Sequence, residues 1–124
     1  HLDNSLISEG CIINAKAIKK SVIGNRSRIG EGTVIENSYI MGNDFYQSLT
    51  DMKEDIENEN QLIGIGERCY INHALVDKNC RIGNDVYING GKHLTNCSEE
   101  LYCIKDGIVV IKKGKTLPDN FRIE

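Results

Sequence analysis

Ile23-Gly-Asn-Arg-Ser-Arg, Ile29-Gly-Glu-Gly-Thr-Val, Ile35-Glu-Asn-Ser-Tyr-Ile and Met41-Gly follow one another in steps of six. After a gap the beat returns as Ile65-Gly-Glu-Arg-Cys-Tyr, Ile71-Asn-His-Ala-Leu, Val76-Asp-Lys-Asn-Cys-Arg, Ile82-Gly-Asn-Asp-Val-Tyr and Ile88. A six-residue period of this kind builds a parallel β-helix, in which each hexad supplies one short strand and one corner and three hexads close a triangular coil. The lead residue points inward and stacks on its counterpart one coil away. Adjacent strands lie about 4.8 Å apart, so branched methyls interlock along the axis. At roughly 25 cal/mol per Å² of apolar surface removed from water, this column is the expected source of stability. The expected stack is Ile7, Ile13, Ile23, Ile29, Ile35, Ile65, Ile71, Val76, Ile82 and Ile88, with Met41 as an equivalent.

Two further places obey a rule. The second holds Gly24, Gly30, Gly42, Gly66, Gly83, Asn14, Asn72, Asn89 and Asp77, types that tolerate tight or left-handed backbone. The fifth holds Cys11, Ala17, Ser27, Thr33, Cys69, Leu75, Cys80 and Val86, small or slim groups suited to a narrow interior. Steps of five replace six between Ile13 and Ile23 and between Ile71 and Val76. Two excursions leave the repeat, at about 43–63 and about 90–105, and the tail regains phase through Ile111, Leu117 and Ile123. The reading is an all-β chain of four to five coils. Parallel crossovers are generally right-handed; hexapeptide-repeat proteins as a family wind left-handed, and that hand is implied here by resemblance.

With 124 residues the chain fits one domain and one elongated core. A net charge of −3 and a pI near 5.6 argue against nucleic-acid binding. No run of eighteen apolar residues suggests a membrane span, and no secretory segment opens the chain. It starts at His1 beside repeat already under way, as expected of an excised fragment. Cys11, Cys69 and Cys80 occupy the fifth place and read as small buried hydrophobes. The odd count of five cysteines and the lack of C-x-x-C speak against a zinc knuckle or disulfide framework, with the relation of Cys97 to Cys103 open. A reducing cytoplasm is the default compartment. In the first excursion Asp51, Glu54, Asp55, Glu57 and Glu59 form a solvated charge run, and Ser48-Leu-Thr-Asp51 has the form of a capping box before a short helix.

Three chemistries remain open on the residues alone. An acyltransferase of this architecture needs a histidine base with an orienting partner; His1, His73 and His93 are the only histidines, and no partner can be assigned. A ligand-free trimerisation scaffold needs no site. An anion site is suggested by Lys19, Lys20, Arg26, Arg28, Arg68, Lys78 and Arg81 at outward places and by Lys112, Lys113 and Lys115 in the tail, since coil stacking brings distant residues together.

Five segments in order, Ser21-Val-Ile-Gly-Asn-Arg-Ser27, Tyr39-Ile-Met-Gly-Asn-Asp-Phe-Tyr46, Ile63-Gly-Ile-Gly66, Val76-Asp-Lys-Asn-Cys-Arg-Ile-Gly83 and Asp106-Gly-Ile-Val-Val-Ile-Lys-Lys113, give the chain a family likeness. Over nearly its whole length it resembles the C-terminal β-helix of the ADP-glucose pyrophosphorylase (glucose-1-phosphate adenylyltransferase) family, in its plant-type branch. The resemblance implies a regulatory and oligomerising role beside a nucleotide-binding domain that this chain lacks. Mg²⁺ and ATP are then expected on that other domain, and this chain alone is expected to be non-catalytic. The implied partners are the catalytic domain, homologous subunits and phosphorylated small-molecule effectors; the implied compartment is the cytoplasm, or a plastid in a plant. Lys78 and Lys113 match the family's activator-binding lysines, whose sites are completed by arginines of the catalytic domain.

Overall fold

The computed structural model describes residues 1–124. Three parallel sheets form the sides of a triangular coil. The first takes Leu2–Asp3, Ala17–Lys19, Val34–Glu36, Tyr70–Asn72, Tyr87–Asn89 and Arg122–Ile123. The second takes Leu6–Ile7, Val22–Ile23, Tyr39–Ile40, Ala74–Val76 and Ile108–Ile111; the third takes Ile12–Ile13, Arg28–Ile29, Gly64–Ile65, Arg81–Ile82 and Thr116–Leu117. Register places Ile18 on Ile35 and Ile71 on Ile88. Each of these pairs is 17 residues apart, two steps of six and one of five, whereas the first coil is one residue shorter: Ile7 lies over Ile23 and Ile13 over Ile29, so two of its steps are of five. The first excursion spans coil three, between Ile40 and Ile65, and the second spans coil five, between Ile88 and Ile111.

The inward columns follow from that register. Ile23 aligns with Ile40, Ile40 with Val76 and Val76 with Ile111 in the second sheet. In the third, Ile13, Ile29, Ile65, Ile82 and Leu117 align in succession. Ile18, Ile23, Ile29, Ile35, Ile71, Ile88, Ile111 and Leu117 are fully buried. Ile7 heads its column over Ile23 but is 37% exposed, because only one neighbouring coil covers it. The inward residue of coil three is Ile40, not Met41: the step from Ile35 is five, which leaves Met41 in the second place above Gly24.

That shorter side also corrects the fifth place. In the second sheet the slim inward residue falls two before the true lead, at Ser21 before Ile23, Ser38 before Ile40 and Ala74 before Val76, all buried. Ala17 and Leu75 lie on the outer face of their strands, next to the buried Ile18 and Val76. Buried hydroxyls are satisfied in a ladder. Ser21 Oγ donates to Lys19 O (2.8 Å) and accepts from Ser38 N–H (3.1 Å); Ser38 Oγ donates to Glu36 O (2.7 Å) and accepts from Ala74 N–H (3.2 Å). Thr33 Oγ1 bridges Gly66 O and the Cys69 N–H in the same manner.

Gly24, Gly30, Gly66 and Gly83 are required by close approach and not by left-handed backbone, whereas Gly42, which the corrected register moves to the third place, has φ 87°. A Cβ on Gly30 would sit 2.5 Å from Gly66 O, and Gly24 and Gly66 face Met41 O and Gly83 O more tightly still. Positive φ falls two residues later, at Arg26 (56°), Arg68 (55°), Asn79 (63°) and Asp85 (58°). Backbone stacking fixes the second place, and the corner itself bends further along.

The second excursion departs from the all-parallel plan. Tyr102–Lys105 pairs antiparallel with Ile108–Ile111 through a two-residue turn at Asp106 (φ 51°) and Gly107 (φ 82°), the conformation that matches strand twist in a tight hairpin. Cys97–Ser98 adds a further antiparallel strand. Cys97 lies opposite Ile104 and Cys103 opposite Ser98, so the two thiols point to opposite faces, and all five cysteines are free. Cys69 and Cys80 are buried while Cys11 is half-buried; burial raises both buried thiols, Cys80 to about 11, as befits inert packing groups.

Gly30→Ala should lower unfolding free energy by about 1–3 kcal/mol, because the added methyl has only backbone to push against. Ile29→Asp should cost at least about 3 kcal/mol, since the buried column offers a carboxylate no partner. Urea titration followed by circular dichroism measures both; an Ile29→Asp variant that melts like the parent would mean that the side chain faces outward.

Candidate functional site

Arg26, Arg28, Arg68 and Arg81 are all committed to holding the chain together. Arg26 Nε donates to Asn43 O (2.9 Å) while Asn43 Nδ2 donates back to Arg26 O (2.9 Å), which pins the entry of the first excursion. Arg28 Nε donates to Ile63 O (3.0 Å) at its exit, and burial lowers the affinity of that guanidinium for its proton. Arg68 grips Asp85 in the next coil with two parallel bonds, 2.9 and 3.0 Å. Such forked pairs are strongly oriented. Lys112 Nζ donates to the carbonyl of Glu99.

The first excursion is less solvated than its charge run suggests. The helix Leu49–Glu57 starts where expected, with the Ser48 hydroxyl accepting from Asp51 N–H (3.0 Å). Asp55 is the exception among its acidic neighbours. Its side chain is only 16% exposed, and Oδ2 accepts from Arg81 Nη1 (2.7 Å) and Gln47 Nε2 (2.6 Å). Arg81 also donates to Gln61 O (2.8 Å), and Gln47 Oε1 accepts from Ile63 N–H (2.9 Å). The excursion is therefore stapled across the third sheet. The bonds from Arg81, then Gln47, hold the Asp55 carboxyl below the ordinary aspartate value of 3.8.

Lys78 and Lys113 come together at one corner. Gly114 N–H donates to Lys78 O (2.9 Å), which lays the Lys113 coil against the Lys78 coil. On the other side Asn79 N–H donates to Gly42 O (3.2 Å), bringing Asp44 to the same corner. Asp44 Oδ1 lies 3.3 Å from Lys78 Nζ; Asn79 Nδ2 donates to Asp44 Oδ2 (3.0 Å), and Asp44 N–H donates to Asn79 Oδ1 (2.9 Å). Asn79, then Lys78, and more weakly the charge on Lys113 hold the Asp44 carboxyl below its ordinary value. Three successive coils thus present two ammonium groups and one carboxylate, with Lys78 and Asp44 near half exposed where they pair and Lys113 exposed. Asp44 and Asn79 had no role assigned from sequence. The motif Met-Gly-Asn-Asp-Phe-Tyr contains the first, but nothing local to it reveals a partner 35 residues on.

Other candidates are not brought together. His73 is a left-handed corner residue (φ 50°) and His93 lies in the second excursion; no carboxylate stands within ion-pair distance of either. On the first sheet Tyr70 and Tyr87 stack with centroids 5.2 Å apart, and Arg122 lies 4.5 Å over Tyr87. Burial and the bond to Glu36 (2.9 Å) push the Tyr70 phenol up to about 12. Stacking covers the facing sides of the two rings, and Arg122 lies over Tyr87 as well. No group of three or more His, Cys, Asp or Glu is placed to hold a metal ion, and no helix is long and apolar enough to cross a membrane.

Residues 1–121 match the family described as the GLGC left-handed parallel beta-helix domain, which sets the hand of the coil. A wheat (Triticum aestivum) protein named glucose-1-phosphate adenylyltransferase small subunit, chloroplastic/amyloplastic, is 41% identical over 117 residues, 93% of this chain and 25% of its own length. An Arabidopsis thaliana protein named inactive glucose-1-phosphate adenylyltransferase small subunit 2, chloroplastic, is 35% identical over 127 residues, 96% of this chain and 26% of its own. The chain spans about a quarter of the length of these relatives.

Asp55→Asn should loosen the first excursion and speed its cleavage by a protease of broad specificity. Acid should mimic the change. The folded-state value of Asp55 is depressed, so its contribution is complete above 3.8 and fades as pH falls below it. Cleavage between residues 48 and 62 at equal rates in the parent and the variant would disprove the staple.

Proposed function

The chain belongs to the GLGC left-handed parallel β-helix family, and on that premise we propose that it is the regulatory and oligomerisation domain of a glucose-1-phosphate adenylyltransferase. The parent enzyme would form ADP-glucose from ATP and glucose 1-phosphate for glycogen or starch synthesis. The observation that carries this reading is the family match over residues 1–121. Chemistry would take place on a separate nucleotide-binding domain, where Mg²⁺ and ATP belong. This chain would supply contacts to that domain and to neighbouring subunits, together with part of an effector site. Relatives named as chloroplastic small subunits support a subunit role, in a plastid for a plant source and in the cytoplasm otherwise.

The effector half of the proposal rests on Lys78 and Lys113. An ammonium offers three donors on a flexible stem to phosphate or carboxylate oxygens. Two of them at one corner, on successive coils, suit an anion with more than one negative oxygen, such as a phosphorylated glycolytic intermediate or inorganic phosphate. The arginines that would close such a site are not available here, because Arg26, Arg28, Arg68 and Arg81 are all engaged. They would have to come from the catalytic domain.

In the complete enzyme, Lys78→Ala and Lys113→Ala should each raise the activator concentration for half-activation by about tenfold, the equivalent of one charge-assisted hydrogen bond. ADP-glucose synthesis measured against a series of phosphoglycerate and fructose bisphosphate concentrations reads this out. A lower activator-free rate with an unchanged activator response would overturn the assignment.

A further inference from the structure

We propose that Asp44 is a built-in competitor for the effector, an intramolecular anion that occupies Lys78 until a soluble one displaces it. The inference rests on the reading of Lys78 and Lys113 as effector-binding residues. Its own basis is the geometry of the corner. Asp44 is aimed: one carboxylate oxygen is held by Asn79 Nδ2 at 3.0 Å, and the other points to Lys78 Nζ at 3.3 Å. Asn79 is in turn fixed by its left-handed backbone and by its N–H on Gly42 O, so its amide is a rigid guide for the carboxylate. Asp77 plays no comparable part. It turns Oδ1 to the backbone N–H of Lys78 (2.7 Å) and makes no ion pair with the ammonium.

The pair has the properties of a displaceable contact. Both side chains are close to half exposed, 43% for Lys78 and 48% for Asp44, and ion pairs in that setting are weak and screened by salt. A phosphate dianion would meet the same ammonium with more charge and more acceptor oxygens, and it would also reach Lys113. It must first compete with a like charge, because Asp44 Oδ1 already lies 3.3 Å from that ammonium. Displacement would also break the Asn79 Nδ2–Asp44 Oδ2 bond, one of two that tie the start of the first excursion to the fourth coil. The foot of that excursion at Asp55 and Arg81 is held independently. Effector binding would therefore release one tie just inside the excursion, while the Arg26–Asn43 bonds at its entry and the Asp55–Arg81 pair stay in place.

Asp44→Asn isolates the charge, since a side-chain oxygen remains to accept from Asn79 Nδ2. Isothermal calorimetry on the complete enzyme at low ionic strength, with inorganic phosphate and fructose 1,6-bisphosphate as probes, should show Asp44→Asn binding about two- to fivefold tighter than the parent. The gain should disappear when Lys78→Ala is added, because there is no longer an ammonium to compete for. An unchanged or weaker affinity in Asp44→Asn, with Lys78→Ala still weakening binding, would overturn the competitor and leave the effector site standing. A gain of equal size in the Lys78→Ala background would also overturn it, by reducing Asp44 to general repulsion. No effect of Lys78→Ala on either probe would remove the effector site itself, and this inference with it.

Discussion

Everything in this molecule depends on the distance between coils. Backbone hydrogen bonds from strand to strand hold neighbouring coils about 4.8 Å apart, and each other feature is a response to that closeness. Isoleucine leads because its branched side chain fills the gap between coils without leaving a void. Glycine takes the second place because Gly30, Gly24 and Gly66 meet a carbonyl oxygen of the next coil where a Cβ would be. Serine and threonine are admitted to the interior because Ser21, Ser38 and Thr33 can each donate to a carbonyl while accepting from an N–H of the next coil. No buried side-chain nitrogen or oxygen is left unpaired.

The same constraint explains what could be read in the sequence and what could not. The inward column, the two excursions and the Ser48 helix start are local patterns, and they are visible in the order of residues. The identity of the second-sheet lead is subtler. Ile40 and Met41 are both apolar, and only the 17-residue register over Ile23 decides between them. Ala17 and Leu75 misled for the same reason, since counting by six overshoots on a side five residues long. The glycines satisfied the right rule for a different cause, as spacing between coils leaves no mark in a single hexad. Asp55 could not be separated from Glu54 and Glu57 because Arg81, its partner, is 26 residues away.

The surface shows a division of labour between the two kinds of cation. Arginines sit where two elements must be joined, and their planar donors reach backbone carbonyls or a carboxylate in fixed geometry. Lys78 and Lys113 sit instead at a corner assembled from three coils and open to solvent. The site is thus a product of stacking. Residues 44, 78 and 113 have no relation in the linear order until the coil returns the chain to the same edge. That is also why a bare count of basic residues overstated the available charge and missed the carboxylate that accompanies it.

The hairpin at Asp106 and Gly107 has a consequence for growth. An open parallel sheet is a template, and each exposed edge invites another strand, whether from a further coil or from another molecule. In the second sheet the edge beyond Ile108–Ile111 is already covered by Tyr102–Lys105 running the opposite way, and that strand is covered by Cys97–Ser98. A further coil would find parallel edges at Thr116–Leu117 and Arg122–Ile123 but none on the third side. The antiparallel pair thus caps one of the three sheets, and a repeat that presents three equal templates is left with two.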